Sequence, residues 1–301
     1  MKPDVTVIIV NYNTKELLRN CLTSLLKKTQ DINIEVIVSD NGSVDGSIDM
    51  VRTLFPQIIL ITNNKNIGFG KANNQALKIA KGKYIFYLNS DTELKNNAIK
   101  YFIDYWQLHE NESLGALGSN LLDENNKYMH SFSTFPTYKK LIFEPIKFLF
   151  TSYIKSIIII ILRRIPKNIK INKEFKKYIG DVGYITGADL FLLNNYEAAF
   201  DERFFMYYED CDLELRLAKK GKRRVIIDGP EIFHLENGSD KNKKGYSLSN
   251  IYNEISRIKY YRKHMDLQIF IPIIKIIVLL TWINPFIYKK SKSYIKEYIK
   301  S

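Results

Sequence analysis

The feature that most constrains this chain is an alternation in its first ninety residues. VTVIIV (5–10), IEVIVS (34–39), IILIT (58–62) and KYIFYL (83–88) are short apolar runs. The gaps between them carry helical spacing: Leu17, Leu18, Cys21, Leu22, Leu25 and Leu26 recur within TKELLRNCLTSLLKKT (14–29). A second helix is expected near 45–54 and a third over about 70–80, with Gly82 ending it. Ile85, Phe86, Tyr87 and Leu88 have no polar break, so that strand is expected to be covered on both faces. Strand–helix–strand order calls for right-handed crossovers, which makes the fold α/β with a Rossmann-like, mainly parallel sheet flanked by helices.

Parallel strands end on one edge, where open α/β sheets bind ligands. That edge collects Asn11 and Asn13, then Asp40, Asn41, Gly42 and Ser43, then Asn63 to Asn66, then Asn89, Ser90 and Asp91. A row of short amides and acids suits ribose hydroxyls, a base imide and a metal-bound diphosphate. Asp91 is a hard oxygen ligand of the kind Mg²⁺ or Mn²⁺ accepts. The plainer reading of NSDT is the start of a turn. IGFGKANN (67–74) lacks the third position of a dinucleotide fingerprint and the GK[ST] ending of a P-loop.

A net charge of +13 raises nucleic acid as a partner, but its distribution argues otherwise. Residues 139–180 carry +9, residues 241–301 carry +10, and the remainder carries −6. The two basic segments also hold the most apolar runs, IKSIIIIILRRIP (154–166) and LQIFIPIIKIIVLLTWINPFIY (267–288). Basic and apolar together point to an anionic membrane surface. Lys275, Pro272 and Pro285 interrupt the second run, and positive charge flanks it on both sides. Peripheral attachment at the inner face of the cell membrane is therefore expected rather than a span. MKPDVTVIIVNYN has no secretory pattern, which makes the cytoplasm the expected compartment. Cys21 and Cys211 are the only cysteines, so no disulfide framework or cysteine zinc site is suggested. The expected organisation is a catalytic domain over 1–240, with a basic insertion at about 139–180, and a basic, apolar helical region over 241–301.

FFMYYEDCDLELRLAKKG (204–221) reads as a short helix ended by Gly221, with Glu209, Asp210 and Asp212 at its start. Acids there are what capping alone calls for, although three in four residues exceeds that need. Stabilisation by the helix start would keep these carboxylates ionised. His234 follows the strand RVIIDG, and a lone histidine there also fits a packing role.

VTVIIVNYN, VSDNGSVDGS, NIGFGKANN, YLNSDTEL, GADLFLL and FFMYYEDCDLELRLAKKG, in that order, resemble the signature of family 2 glycosyltransferases, most closely its rhamnosyltransferase-like branch. The resemblance covers roughly residues 4–130 and 180–240. It implies a GT-A fold, a nucleoside-diphosphate sugar donor (dTDP- or UDP-linked), Mn²⁺ or Mg²⁺, inversion at the anomeric carbon and a saccharide acceptor, here expected to be lipid-linked. Carried across, Asp40 would bind the base, and Asn66, Gly68, Asn74, Gly187 and Asp189 would join the donor site. Asp91 and His234 would hold the metal, and Asp210 of the Glu209–Asp210 pair would be the general base. Asn89-Ser90-Asp91 lacks the first acid of a DxD motif, which leaves Asp91 as its metal ligand. A UDP-hexose or UDP-N-acetylhexosamine transferase, and a non-catalytic nucleotide-sugar-binding protein, are the alternative readings.

Overall fold

The computed structural model describes residues 2–162, 174–235, 248–265, 270–282 and 298. In chain order the elements are β1 (Val5–Asn11), α1 (Lys15–Lys28), β2 (Ile34–Asp40), α2 (Ser47–Leu54), β3 (Ile59–Thr62), α3 (Phe69–Leu77), β4 (Tyr84–Leu88), β5 (Thr92–Leu94), α4 (Ala98–Leu108) and β6 (Leu114–Gly118). They continue with β7 (Phe132–Ser133), α5 (Tyr138–Leu162), β8 (Gly180–Asp181), β9 (Tyr184–Ile185), β10 (Asp189–Leu193), α6 (Glu209–Lys219), β11 (Arg223–Ile226), β12 (Ile232–His234), α7 (Leu248–His264) and α8 (Phe270–Trp282).

The main sheet runs β3-β2-β1-β4-β10-β6-β11-β8. Its first four strands are parallel, as the alternation predicts, with Asn11 level with Asp40 and Asp40 level with Thr62. β10 then runs antiparallel to both β4 and β6, placing Asp189 opposite Leu88. The reversal brings the start of β10 to the edge where the parallel strands end.

The central strands bury alternate residues on opposite faces. Val5, Val7 and Ile9 meet Leu18, Leu22 and Leu25 of α1 on one side, joined by Phe86, Phe102 and Phe191. Ile8, Ile85 and Tyr87 meet Ala76 of α3 and Leu213 and Leu217 of α6 on the other. Phe102 and Phe191 stack with ring centroids 5.3 Å apart, a geometry that adds to plain area burial. All five residues of β4 are buried, in accord with its unbroken apolar sequence.

Gly82 does not end the third helix, which stops at Leu77. Its role is close approach: an added Cβ would lie 2.3 Å from the backbone N of Thr6, and its own N–H donates to Thr6 Oγ1 at 2.9 Å. The next nearest atom is the Val5 carbonyl carbon at 2.6 Å, so it is the backbone of β1 that would have to move.

The chain folds into two compact units, Met1–Phe135 with Glu174–Phe205 and Glu209–Lys241, and Pro136–Lys173 with Met206–Tyr208 and Asn242–Ser301. The second unit holds residues 139–173 of the first basic segment and 242–301 of the second, and its described elements are the helices α5, α7 and α8. In it the Arg257 guanidinium is buried against Glu254, and Ser256 Oγ donates to the Met206 carbonyl at 2.8 Å. Residues 163–166 of the first apolar run, and 267–269 and 283–288 of the second, lie outside the described residues. Among the described residues, no helix is long and apolar enough to cross a membrane.

Gly82→Ala is expected to destabilise the first unit by about 1–3 kcal/mol through overpacking against β1. Urea unfolding checks it, and an unchanged midpoint would contradict the close-approach argument.

Candidate active site

The strand ends are tied together by short side chains. Asn11 Nδ2 donates to Asp40 Oδ2 at 2.7 Å and to Ser43 Oγ at 3.0 Å. Asp40 Oδ1 accepts the N–H groups of Gly42 and Ser43 at 3.1 and 2.8 Å, so this buried carboxylate shapes the loop after β2. Asn13, at φ 55°, donates its N–H to Ser43 Oγ, and its Oδ1 accepts the Val44 N–H. Thr14 Oγ1 links Asn11 Oδ1 at 2.6 Å to Ser90 Oγ at 3.1 Å, which joins β1 to the loop after β4. Asn41 Nδ2 reaches the Gly68 carbonyl at 3.2 Å, and Asn66 Oδ1 accepts the Gly68 N–H at 2.9 Å.

Gly68 has φ +94°, and a Cβ there would meet the Phe205 carbonyl oxygen at 2.6 Å. The next residue, Phe69, donates its N–H to that same oxygen at 2.8 Å. The start of α3 is thereby fastened to the loop that leads into α6. Asn74, expected in the donor site, has another duty: its amide donates to the Phe200 carbonyl and accepts the Phe200 N–H, both at 2.9 Å. It is buried inside α3 and holds a neighbouring loop.

The Asn89 N–H donates to the Ala188 carbonyl at 3.0 Å, where β10 begins. β12 pairs with β5 so that His234 lies opposite Thr92, and His234 Nε2 comes within 3.3 Å of Asp91 Oδ1. Both side chains are partly exposed. An imidazole nitrogen beside a carboxylate oxygen is a donor pair that Mn²⁺ accepts. No group of three or more His, Cys, Asp or Glu of metal-binding arrangement occurs among the described residues. Diphosphate oxygens would therefore have to complete the shell, as is usual for such ions.

α6 begins directly after Tyr207 and Tyr208, which both adopt left-handed backbone, φ 69° and 66°. Two such residues in succession are uncommon and strained, and they turn the chain sharply into the helix. Asp210 Oδ1 accepts the Cys211 N–H at 2.7 Å, and Oδ2 accepts the Gly187 N–H at 3.0 Å. Burial is the main influence on Asp210 and raises its carboxyl above the ordinary range; the Cys211 and Gly187 N–H groups and the nearby charge of His130 pull the other way. The helix start alone predicts an easily ionised acid, and burial reverses that balance.

Asp189 is fully buried, and Oδ2 accepts from Ser119 Oγ at 2.6 Å and from the Ser119 N–H at 2.7 Å. Among the described residues its Oδ1 has no hydrogen-bond partner. Burial pushes this carboxyl up to about 7, opposed by Ser119 and by His234. One turn along α6 from Asp210, the buried Glu214 accepts the Ile185 N–H on both oxygens, at 3.0 and 2.9 Å. Desolvation raises its carboxyl strongly, and the charges of Asp210 and Asp189 add to this.

Sequence reasoning passed over Glu214, Ser119 and His130. Glu214 reads as one more acid on a helix, and only its burial under β9 singles it out. Pairing of β7 with β9 brings His130 toward Asp210: the neighbouring Ser131 carbonyl accepts the Thr186 N–H at 2.9 Å, next to Gly187.

A mainly parallel sheet whose ends gather amides and acids, facing a helix that opens with paired acids, is the GT-A fold of glycosyltransferases. Its fold is similar to that of a mannosyltransferase from Pyrobaculum calidifontis in complex with GDP-Man and Mn²⁺, with a TM-score of 0.55 and 16% identity, covering 100% of this chain and 76% of that one. The chain belongs to glycosyl transferase family 2, whose profile matches residues 6–164.

Among curated relatives, it is 39% identical over 103 residues to an Escherichia coli UDP-Glc:α-D-GlcNAc-diphosphoundecaprenol β-1,3-glucosyltransferase, a match spanning 34% of this chain and 36% of that relative. It thus spans only about a third of that relative's length. A Mycobacterium tuberculosis N-acetylglucosaminyl-diphospho-decaprenol L-rhamnosyltransferase is 25% identical over 246 residues, covering 76% of this chain and 75% of the relative.

Glu214→Ala leaves the Ile185 N–H buried without its acceptor, an expected cost of about 1–3 kcal/mol. Hydrogen exchange at Ile185 should accelerate, and unchanged protection would show that the carboxylate is not what holds β9 to α6.

Proposed function

We propose that this protein is an inverting, metal-dependent glycosyltransferase. It moves a sugar, rhamnose in the first reading, from a nucleoside-diphosphate donor to a saccharide acceptor carried on a lipid, in the synthesis of cell-surface polysaccharide at the inner face of the membrane. The observation that carries the reading is the joint placement of the Asp91–His234 pair after β4 and of Asp210, held by Gly187, at the head of α6. One arrangement suits a diphosphate and the other an acceptor hydroxyl.

In this mechanism the loops after β1 and β2, braced by Asn11, Asn13 and Asp40, hold the nucleoside, and Asp40 is the residue assigned to the base. Asn89 and Ser90 with Asp91 lie along the diphosphate. Asp91 and His234 would hold the ion; bound Mn²⁺ or Mg²⁺ supplies neutralisation of charge on the departing diphosphate. Asp210 takes the proton from the acceptor hydroxyl, whose oxygen forms a bond to the anomeric carbon as the bond to the diphosphate breaks on the opposite face. Attack opposite the leaving group inverts that centre. Glu209 flanks the base, Gly187 fixes its orientation, and held geometry supplies much of the rate.

A UDP-hexose or UDP-N-acetylhexosamine donor is the second reading, favoured by the likeness to the E. coli enzyme that uses UDP-Glc. A screen of dTDP-rhamnose, UDP-glucose and UDP-N-acetylglucosamine, read as nucleoside diphosphate released with and without Mn²⁺, separates the two. Release from none of them would overturn the proposal.

Asp210→Asn is expected to lower turnover by about 10²–10⁴-fold while donor affinity in calorimetric titration stays near wild type. Substantial residual turnover would remove Asp210 from the base role. Because burial raises this carboxyl, the deprotonated base is lost on acidification at a higher pH than for an ordinary carboxylate near 3.9. The pH profile of kcat/KM should rise with pH through that displaced value, and the acid limb should vanish in the residual activity of Asp210→Asn.

Asp91→Ala and His234→Ala should each weaken donor binding in Mn²⁺ and reduce turnover together. Full activity of the wild-type protein in excess EDTA would contradict the metal assignment.

A further inference from the structure

In the second unit, α5 and α8 pack against each other, and the Tyr153 hydroxyl donates to the Leu280 carbonyl at 3.1 Å. Ile271, Ile274 and Val278 of α8 are buried, yet the other side of that helix exposes Pro272, Ile273, Ile276 and Leu280, with 52%, 57% and 41% exposure for the last three. At one residue per 100°, these four fall within an arc of about 100° that carries no charge. On α5, Phe143 and Phe150 are each 64% exposed and Ile154 is 53% exposed. Around that helix the order is Lys139, Phe150, Phe143, Ile154, Lys147, Lys140, again within about 100°, and all three lysines are exposed. An apolar stripe is thus edged by lysines on both sides, in the pattern of a helix lying in a bilayer interface.

We infer that the exposed stripes of α5 (Phe143, Phe150, Ile154) and α8 (Ile273, Ile276, Leu280) form an interfacial surface that inserts among the headgroups of an anionic membrane, with Lys139, Lys140 and Lys147 engaging lipid phosphates. The inference rests on the membrane part of the proposed function and deepens it by naming the residues that make contact. Exposed aromatic and aliphatic side chains at this density on two packed helices mark a contact surface. Charge selects the occupant. The segments containing these helices carry +9 (139–180) and +10 (241–301), so a second copy of the chain would bring like charge to like, whereas anionic lipid complements it. The long lysine stems can lie along the apolar stripe while their ammonium groups stay in water. Among the described residues no helix is suited to cross the bilayer, which agrees with a surface that lies on it.

Co-sedimentation of the full chain with phosphatidylglycerol–phosphatidylcholine vesicles, compared with phosphatidylcholine alone, tests the inference without donor or acceptor. Wild type should bind the anionic vesicles, and binding should weaken with salt. Phe143→Glu/Phe150→Glu and Ile276→Glu should each reduce partition at least tenfold. Lys139→Glu/Lys140→Glu/Lys147→Glu should reduce it roughly a hundredfold, since each lysine near the surface is worth about fivefold. All the altered side chains are exposed, and circular dichroism confirms that the variants fold.

Equal binding of the variants and wild type, or no wild-type binding to anionic vesicles, overturns the inference. So does a wild-type dimer in sedimentation equilibrium that Phe150→Glu converts to monomer. Nucleoside diphosphate release in detergent-free buffer is measured in parallel. Its loss with vesicle binding intact counts against the proposed reaction and leaves the membrane surface supported.

Discussion

Everything in the first unit hangs on β4, a five-residue strand with no exposed side chain, paired parallel with β1 on one edge and antiparallel with β10 on the other. Its alternation sends Tyr84, Phe86 and Leu88 into one core and Ile85 and Tyr87 into the other. A slip of one residue would exchange the two faces and unseat both, so the register is held by hydrophobic burial on two sides. From that register the parallel side brings Asn11 and Asp40 to the edge. The antiparallel side brings Asp189 level with Leu88, two residues before Ser90.

Polar groups at this edge are costly to bury and are accordingly well partnered. Asp40, Asp210 and Glu214 each accept backbone N–H groups, so the same bonds that satisfy the acids also fix the loops. Asp189, Asp210 and Glu214 lie close enough for charge on one to oppose charge on another, and burial raises all three. A cluster of acids held short of easy ionisation is a setting in which protons can be exchanged.

The helical unit follows a different logic. Where the main sheet hides its apolar residues, α5 and α8 each leave an apolar stripe on the outside, and lysines edge the α5 stripe rather than interrupting it. In the sequence the same residues show only as a basic, apolar bias. Helical phase sorts them into a stripe and its border.

The alternation, the buried character of KYIFYL and the gathering of amides at strand ends are legible in the sequence because each depends on periodicity within a dozen residues. So is the segregation of charge. Ordered motifs also point to Asp91, Asp210 and His234 individually. The meeting of Asp91 with His234 depends on β12 pairing with β5, about 140 residues away, and the grip of Gly187 on Asp210 depends on the turn before β10. Glu214, Ser119 and His130 carry no local signal, since an acid, a serine and an exposed histidine look ordinary until strand pairing sets their neighbours. Short-range spacing determines which elements form; long-range register, imposed by burying both faces of the sheet, decides which side chains share a site.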